Sequence, residues 1–184
     1  MNAKQYLLDH WIKNKIWTHL EWPKHQKRLS QCASHLSGST FCDVGCGLGH
    51  STEIMGRYKK GKWHGIEFFK EAVKKATELF PDIKFYYCDN NTFDMSLSTG
   101  MVFDGVICSE VIEHVEKPVL LVKNLWKITA KRMVLTTPGK YVNDPGHLRV
   151  YTKQMLQSLM VKAGVEKFTI MLDDPFWYIV GRRN

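Results

Sequence analysis

The chain has 184 residues, a length typical of a single domain, with 44% hydrophobic and 24% charged residues. No apolar run is long enough to cross a bilayer, and the first residues lack the apolar core of a signal peptide, so we expect a cytoplasmic protein without a membrane span. The net charge of +8 is scattered along the chain, which is weak support for a nucleic-acid partner. The five cysteines form no CxxC pair and indicate neither a zinc knuckle nor a disulfide framework.

The amino-terminal region is predicted to be helical. Apolar residues at helical spacing predict a helix over residues 3–18. Pro23 is suited to the first turn of a second helix. The inner face of that second helix is predicted to carry Leu29, Cys32, Ala33 and Leu36.

From residue 40 onward the pattern alternates between strands and helices. Strands are predicted at 40–44, 62–67, 83–88, 103–108, 132–137, 167–172 and 177–182. Helices are predicted at 49–59, 69–79, 117–128 and from a Thr152 cap to Ala163, where Gly164 ends the last one. Such alternation indicates a parallel α/β sheet with helices on both faces. The short connection between the last two strands requires that they be antiparallel.

The segment FCDVGCGLGHS, residues 41–51, follows the first strand with three glycines at alternate positions. Gly45 allows a turn, Gly47 allows a ligand to approach the backbone, and Gly49 begins the next helix close to the strand. The GxGxG spacing differs from the dinucleotide fingerprint, and no P-loop lysine follows. Asp43 beside the glycines would repel a pyrophosphate and attract an ammonium or a sulfonium. A simple turn without a ligand is the alternative interpretation.

Two further acidic residues stand at the ends of the next strands. Glu67 ends the second strand, where a carboxylate can accept hydrogen bonds from both ribose hydroxyls, and Asp89 ends the third strand, where it can accept from an exocyclic amine. Each alone is more typical of a solvated strand end. Carboxylates at three successive strand ends favour a shared binding site.

The motifs DVGCGLG, GIEF, CDNN and FDGVICSEVIEHV together resemble the class I S-adenosylmethionine (SAM)-dependent methyltransferases. The resemblance implies a Rossmann-like seven-stranded sheet of order 3-2-1-4-5-7-6 with strand 7 antiparallel. It also implies one domain over 1–184, in which helices of residues 1–37 cover the active-site face and residues 38–184 form the cofactor-binding core.

The resemblance further assigns the SAM contacts. Asp43, Gly45 and Gly47 would line the methionine part, Glu67 the ribose, and Asp89 with Asn90 the adenine, while the backbone near Ser109 closes the methionine side. Phe68 and Phe69 replace polar residues that often follow the ribose-binding acid. The implied cofactor set is Asp43, Gly45, Cys46, Gly47, Gly49, Glu67, Phe68, Asp89, Asn90 and Ser109.

The segment SEVIEHVEKP follows the fourth strand and faces the predicted position of the methyl group. Glu110, Glu113 and His114 are spaced i, i+3 and i+4, and His147 comes from the loop after the fifth strand on the same rim. We predict these four residues as the catalytic set, with His114 contacting cofactor or substrate or acting as general base. A second interpretation is that the four bind a metal such as Mg²⁺, Mn²⁺ or Zn²⁺. A third is that none of them touches the chemistry.

These features predict a SAM-dependent methyltransferase that acts on a hydroxyl or amine of a small molecule, as a monomer or homodimer. The EVIEH segment resembles both ubiquinone-pathway O-methyltransferases and the small-RNA 3′-terminal 2′-O-methyltransferases. A metal-assisted RNA methyltransferase is therefore the first alternative, although this chain lacks the histidine-rich stretch usual around the later histidine. A cofactor-binding partner subunit without catalysis is the second alternative.

Overall fold

A computed structural model describes residues 12–13 and 15–183, and within them the chain folds as a seven-stranded sheet with helices on both faces. The strands are β1 (Thr40–Val44), β2 (Lys62–Glu67), β3 (Lys84–Tyr87), β4 (Phe103–Ser109), β5 (Thr129–Pro138), β6 (Phe168–Asp173) and β7 (Phe176–Arg182). The helices are α1 (Pro23–Ser34), α2 (His50–Tyr58), α3 (Lys70–Leu79), α4 (Met95–Thr99), α5 (Pro118–Lys127) and α6 (Lys153–Lys162), preceded by a 3-10 helix, Ile16–Glu21.

The sheet has the strand order β3-β2-β1-β4-β5-β7-β6, which confirms the predicted topology. The first five strands pair in parallel, and β7 pairs antiparallel with both β5 and β6. The order reverses between β1 and β4, which lie side by side. Ligands of open α/β sheets bind at such a switch point, beyond the carboxyl ends of the strands.

Two apolar layers hold the helices against the sheet. On one face, Leu29 and Leu36 from the α1 region and Met55 of α2 pack with Phe41 of β1. On the other face, α4, α5 and α6 cover a larger cluster that includes Cys42 and Val44 of β1. Because successive strand residues point to opposite faces, β1 contributes to both layers. The predicted inner face of α1, with Leu29, Cys32, Ala33 and Leu36, is buried and confirmed.

Local sequence signals explain the ends of two helices. Pro23 is the first residue of α1, where its missing N–H leaves no hydrogen bond unmade. The Thr152 side chain accepts a hydrogen bond of 3.3 Å from the Met155 N–H and so caps α6. Gly164 follows α6 with φ +79°, the left-handed conformation that ends a helix. These predictions are confirmed.

The structure departs from the predicted elements in three places. Residues 12–13 are helical, but the chain turns at Lys15 and continues as the 3-10 helix, so no single α-helix reaches residue 18. The residues that suggested the helix at 3–11 lie outside the described part of the chain. Helix α4 was not predicted, and it begins where Asp94 accepts a hydrogen bond from the Leu97 N–H. Strand β5 begins at Thr129, three residues before the predicted start at residue 132.

Across the described part of the chain, none of the helices combines the length and the apolar character that crossing a bilayer requires.

Candidate active site

A cavity of about 760 Å³ opens at the carboxyl ends of the central strands. Its volume lies within the range of small-molecule sites. Six of the residues predicted for the site line it: Gly45, Glu67, Phe68, Asn90, Glu110 and His114. The structure adds Phe69, Asn91, Phe93, Val111, Val115, Glu116, Lys117, Asp144, Gly146 and Leu148 to its walls.

The glycine loop after β1 is held against the tip of β2 by Glu67. The Glu67 carboxylate is buried and accepts hydrogen bonds from the backbone N–H groups of Gly47 at 2.7 Å and Phe68 at 2.6 Å. Burial raises the pKa of Glu67, and these backbone donors oppose that shift. Gly47 has φ +55°, and a Cβ built on it would meet no protein atom within 4 Å. The loop therefore presents bare backbone to open space beside an acidic side chain.

Asp43 lies beneath the loop and is not on the cavity wall. Its Oδ2 accepts hydrogen bonds of 2.8 Å from the hydroxyls of Ser51 and Thr52, at the start of α2. Burial raises the pKa of Asp43, and the two hydroxyls oppose that shift. In this structure Asp43 fastens the end of β1, just before the glycine loop, to the helix that follows the loop. A contact with a methionine moiety stays a prediction for it.

Aromatic rings form the cavity wall near β3. The Phe68 ring packs edge-on against Phe93, with centroids 5.3 Å apart. Asn90 and Asn91 border the same wall. Asp89 is exposed, is not part of the wall, and accepts two hydrogen bonds of 2.8 Å from Asn91. The amides, and not the predicted carboxylate, are the polar groups nearest this part of the cavity.

Ser109 and Glu110 connect the end of β4 to β5. The Ser109 hydroxyl lies 2.7 Å from the Thr136 hydroxyl, which donates to Glu110 Oε1 at 3.0 Å. Glu110 Oε2 lies 3.2 Å from an Nη atom of Arg28 in α1. Glu110 has φ +57°, an uncommon conformation for a residue with a side chain and one that is enriched at functional sites. Burial raises the pKa of Glu110, and the Arg28 charge opposes that shift.

Glu113 is almost fully buried behind the cavity. Its Oε2 accepts a hydrogen bond of 3.1 Å from the Thr137 hydroxyl, and its Oε1 is buried without a hydrogen-bond partner among the described residues. Burial raises the pKa of Glu113, and the charge of Glu110 adds to the shift. An unsatisfied buried carboxylate oxygen is unusual, and one explanation is a ligand such as a proton or a metal ion.

His114 reaches the cavity from the turn after β4, and its tautomer follows from its neighbour. The Nδ1 atom lies 2.9 Å from the Gly146 carbonyl oxygen. Because a carbonyl only accepts, Nδ1 must carry the proton, and the neutral ring then has its lone pair on Nε2. Partial desolvation of the ring lowers the pKa of His114, although the Gly146 carbonyl opposes the shift. At neutral pH the ring is therefore able to accept a proton at Nε2.

Three of the four predicted catalytic residues lie together. Glu113, His114 and His147 each offer an atom within 4.8 Å of the others, close enough to share one metal ion. The His114 and His147 rings meet edge-on with centroids 4.6 Å apart. Glu110 is not a member of this cluster, and its carboxylate is paired with Arg28 instead.

Besides the hydrogen bond between His114 and Gly146, three more attach the loop after β5 to the turn after β4. The Leu148 N–H donates to the Glu113 carbonyl at 2.9 Å, the Tyr151 hydroxyl to the Ile112 carbonyl at 3.1 Å, and Arg149 to the Val115 carbonyl at 2.6 Å. These bonds hold the segment of His147 against that of His114.

Eight of the predicted residues do not line the cavity: Asp43, Cys46, Gly47, Gly49, Asp89, Ser109, Glu113 and His147. Sequence reasoning missed Phe93, Asp144 and Arg28. Phe93 and Asp144 lie in irregular loops that periodicity does not reach. Arg28 left one signal: it is a charged residue directly beside Leu29 on a helix face expected to be apolar.

Comparison with known proteins relates this chain to a protein family. A family model described as a methyltransferase domain matches residues 35–164. A crystal structure of magnesium protoporphyrin IX methyltransferase from Synechocystis with bound SAH has a TM-score of 0.69 and 15% identity, covering 99% of this chain and 100% of that one. At this identity the likeness shows the fold alone, and it agrees with the predicted topology.

Curated relatives match part of the chain. A ubiquinone biosynthesis O-methyltransferase from Alkalilimnicola ehrlichii is 33% identical over 49% of this chain and 37% of its own length. A 2-methyl-6-phytyl-1,4-hydroquinone methyltransferase from Synechocystis is 32% identical over 67% of this chain and 39% of its own length. The chain thus spans well under half the length of these relatives. Since the family model covers well over half of the chain, the resemblance to class I methyltransferases is confirmed and the chain belongs to the methyltransferase domain family.

Proposed function

We propose that this chain is a SAM-dependent methyltransferase that transfers a methyl group to a hydroxyl or amine of a small molecule. The observation that carries the proposal is one cavity whose wall includes both Glu67 with Gly45 of the glycine loop and Glu110 with His114. We assign the first pair to a cofactor end and the second pair to an acceptor end. A cofactor and an acceptor bound in a single cavity can meet in the alignment that methyl transfer requires.

The cofactor end offers a complementary surface for SAM. Three backbone N–H groups, of Gly47, Phe68 and Phe69, fix the Glu67 carboxylate, and Oε2, which accepts only the Gly47 N–H among the described residues, retains a lone pair for a ribose hydroxyl. Phe68 and Phe93 provide an apolar wall for the adenine, with Asn90 at its edge. The open space beside Gly47 leaves room for the methionine part. Asp43, below the loop, adds negative charge that favours the sulfonium and the ammonium group.

The acceptor end offers a base at the rim. In the proposed reaction, a lone pair of the acceptor oxygen or nitrogen attacks the methyl carbon, the carbon–sulfur bond breaks, and sulfur keeps the electron pair as a neutral thioether. The acceptor proton passes to Nε2 of His114, the ring nitrogen left free by the Gly146 carbonyl. Val111, Val115 and Leu148 add apolar side chains to this end of the cavity wall.

The charge of the acceptor end favours a small molecule over a nucleic acid. Glu110, Glu116 and Asp144 line it, against Lys117 and His114 as basic groups. Nucleic-acid grooves depend on an excess of lysine and arginine, because each phosphate carries a negative charge. The names of the relatives, a ubiquinone-pathway O-methyltransferase and a hydroquinone methyltransferase, support a hydroxylated ring as the acceptor class.

A metal-assisted reaction is the second candidate, and one observation favours it. Glu113, His114 and His147 form a donor set suited to Mn²⁺, Mg²⁺ or Zn²⁺, and Glu113 Oε1 is free to coordinate. The Gly146 carbonyl on His114 is also the kind of partner that orients metal-binding histidines. The residues therefore fit a metal, which when bound would lower the pKa of an acceptor hydroxyl. The acidic residues of the cavity wall argue against an RNA acceptor, and therefore against a metal-assisted RNA 2′-O-methyltransferase.

Isothermal titration calorimetry with SAM and its product S-adenosylhomocysteine (SAH), followed by an acceptor screen, tests the proposal. We expect both nucleosides to bind and methyl transfer to a phenol, catechol or amine in the screen. Absence of nucleoside binding would refute both enzymatic candidates. Binding without transfer to any acceptor, RNA ends included, would instead favour a partner subunit that binds the cofactor without catalysis.

Thermal unfolding with added Mn²⁺ separates the two enzymatic candidates. A bound metal stabilises the folded chain by about 2.7 kcal/mol at one hundred times its Kd. If a metal is used, Mn²⁺ raises the Tm of the wild type and not that of His147→Gln, while His35→Gln, away from the cluster, behaves as the wild type. An unchanged wild-type Tm and metal-independent transfer would remove the metal candidate.

A further inference from the structure

We propose that Arg28 is a positioning residue: it holds the Glu110 carboxylate as a fixed negative charge facing the cavity, where that charge favours the sulfonium of SAM over the neutral thioether of SAH. The inference rests on the proposed function, and it adds to it a group that distinguishes the charged cofactor from its product.

The Arg28 side chain is fixed on two sides. It is 4% exposed, its Nη1 atom lies 3.2 Å from Glu110 Oε2, and its guanidinium carbon lies 4.8 Å from the centre of the Phe176 ring. The other carboxylate oxygen, Oε1, accepts the hydrogen bond from Thr136. Two partners from different elements, α1 and β5, therefore define the direction of the Glu110 side chain. A carboxylate held in this way does not need to reorganise when a ligand binds.

Stability alone does not explain the buried Arg28–Glu110 pair. Removing an arginine and a glutamate from water carries a desolvation penalty that their attraction barely offsets, and apolar side chains of similar size often replace such pairs without loss. The Nε atom of Arg28 is also buried without a hydrogen-bond partner among the described residues. Because the desolvation penalty is large and the hydrogen bonds of Arg28 are incomplete, we look for a functional role for the pair.

The geometry supplies that role, because the two charges face different surroundings. Glu110 lines the cavity, whereas Arg28 lies behind it and is not part of the wall. A ligand in the cavity is therefore closer to the negative end of the pair than to the positive end. Asp43 and Glu113 are also buried nearby, and the Arg28 charge acts on both. Of the three buried acids on which the Arg28 charge acts, Glu110 alone lines the cavity.

Arg28 comes from a part of the chain that the methyltransferase domain model does not match. The match begins at residue 35, and Arg28 lies before it on α1. The core of the fold supplies Glu110, and the amino-terminal region supplies its counter-charge. We infer that α1 contributes to ligand discrimination as well as covering one face of the sheet.

The affinity ratio of SAM to SAH measures this role directly. The two nucleosides differ by a methyl group and one positive charge, so a purely structural defect lowers both affinities by the same factor and leaves the ratio unchanged. At the effective dielectric constant of a protein surface, a unit charge at a separation of about 10 Å changes such a ratio by about tenfold, and a closer charge changes it more. Calorimetry of the full chain gives both dissociation constants without any methyl acceptor.

The variants are Arg28→Met, Arg28→Lys, Glu110→Gln and the double variant Arg28→Met/Glu110→Gln. We expect the ratio to fall about tenfold in Glu110→Gln, which removes the charge, and in Arg28→Met, where the buried Glu110 carboxyl loses its counter-charge and becomes neutral. The double variant should show no further loss, because both residues act through one charge. Arg28→Lys retains the positive charge and should stay within about threefold of the wild type. Arg57→Met is the matched control, since it removes an arginine from an exposed pair with Glu53 on α2.

Each result has a defined meaning. If the wild type binds neither nucleoside, the proposed function fails. If the wild type binds both and Arg28→Met keeps the wild-type ratio, the role of Arg28 is overturned and the proposed function stands. The double variant removes both members of the Arg28–Glu110 pair, so it tests the contribution of that charge should Arg28→Met not fold. A ratio changed equally by Arg57→Met would also overturn the inference, because the effect would then be one of overall charge.

Discussion

The Glu67 carboxylate accepts a hydrogen bond of 2.7 Å from the backbone N–H of Gly47, which ties the end of one strand to the loop after its neighbour. The bond makes the glycine loop and the proposed ribose site a single rigid unit. The two residues can be tested separately, because Glu67 contributes a side chain, whereas Gly47 leaves space by having none.

Replacing Glu67 by Gln should weaken binding of SAM and SAH by about 10- to 100-fold, since hydrogen bonds to a charged group contribute about 1.5–3 kcal/mol each. The amide keeps the size of the side chain but loses one acceptor oxygen. Calorimetry with both nucleosides is the measurement. Glu78→Gln, at an exposed glutamate paired with Lys75 on α3, is the matched control and should bind normally. Equal affinities in wild type and Glu67→Gln would exclude Glu67 from the nucleoside site.

Gly47→Ala should lower nucleoside affinity by about tenfold or more while lowering stability by only about 1–2 kcal/mol, the strain of a left-handed residue with a Cβ. The added methyl group meets no protein atom within 4 Å, so it enters space that we assign to the ligand. Gly100→Ala is a close control, because Gly100 has φ +63°, equally open surroundings and a position at the end of α4.

The two alanine variants should therefore lose similar amounts of unfolding free energy in urea, and only Gly47→Ala should lose affinity. A Gly47→Ala protein that binds SAH as tightly as Gly100→Ala does would show that the ligand does not approach this part of the loop.

His114→Gln should reduce kcat for methyl transfer by about 10²- to 10⁴-fold, the usual contribution of a general base, and leave the Kd of SAH within about twofold. The glutamine amide can still donate to the Gly146 carbonyl, so the loop after β5 keeps its attachment. His147→Gln provides the comparison. If His114 acts as a base, only its own variant loses kcat to this extent; equal losses in both variants would indicate that the two rings act together on a metal.

His64 provides a pH-dependent stability test outside the cavity. It is buried in β2, and burial lowers its pKa, with Lys62 and Lys84 adding to the shift. Since the unfolded chain binds the proton more readily, the stability due to neutral His64 is present above the unfolded pKa of about 6.5 and is lost as pH falls below it toward the folded pKa.

Replacing His64 by Leu should therefore flatten the acid side of the stability curve, by at most about 1.4 kcal/mol for each pH unit. Unfolding in urea between pH 8 and pH 5 measures the effect. Parallel curves for the wild type and His64→Leu would mean that the histidine is protonated in both states or in neither. The comparison needs no ligand, and His64 is not part of the cavity wall.

Much of the fold could be predicted because its signals are local. Alternating strand and helix patterns with Pro23, Thr152 and Gly164 at helix ends predicted the main elements to within a few residues. The strand order came from the resemblance carried by the motifs. Helix α4 escaped prediction because five residues are too few for helical periodicity, and its start depends on the Asp94 side chain.

The candidate site was only partly predictable, for a different reason. Residue type and position at a strand end identified Glu67, Glu110 and His114, which do line the cavity. The same reasoning could not show that Asp89 would bond to Asn91, because that contact depends on loop conformation. The Arg28–Glu110 pair joins residues far apart in the chain, and no spacing rule relates them.

The attachment of Leu148, Arg149 and Tyr151 to the turn after β4 has a practical consequence for redesign. Residues 140–143 are exposed and lie ahead of these anchors. We expect insertions or randomised residues there to change the cavity rim beside Asp144, at the proposed acceptor end, while both histidines keep their spacing. Directed evolution toward bulkier acceptors should therefore begin with this short exposed stretch.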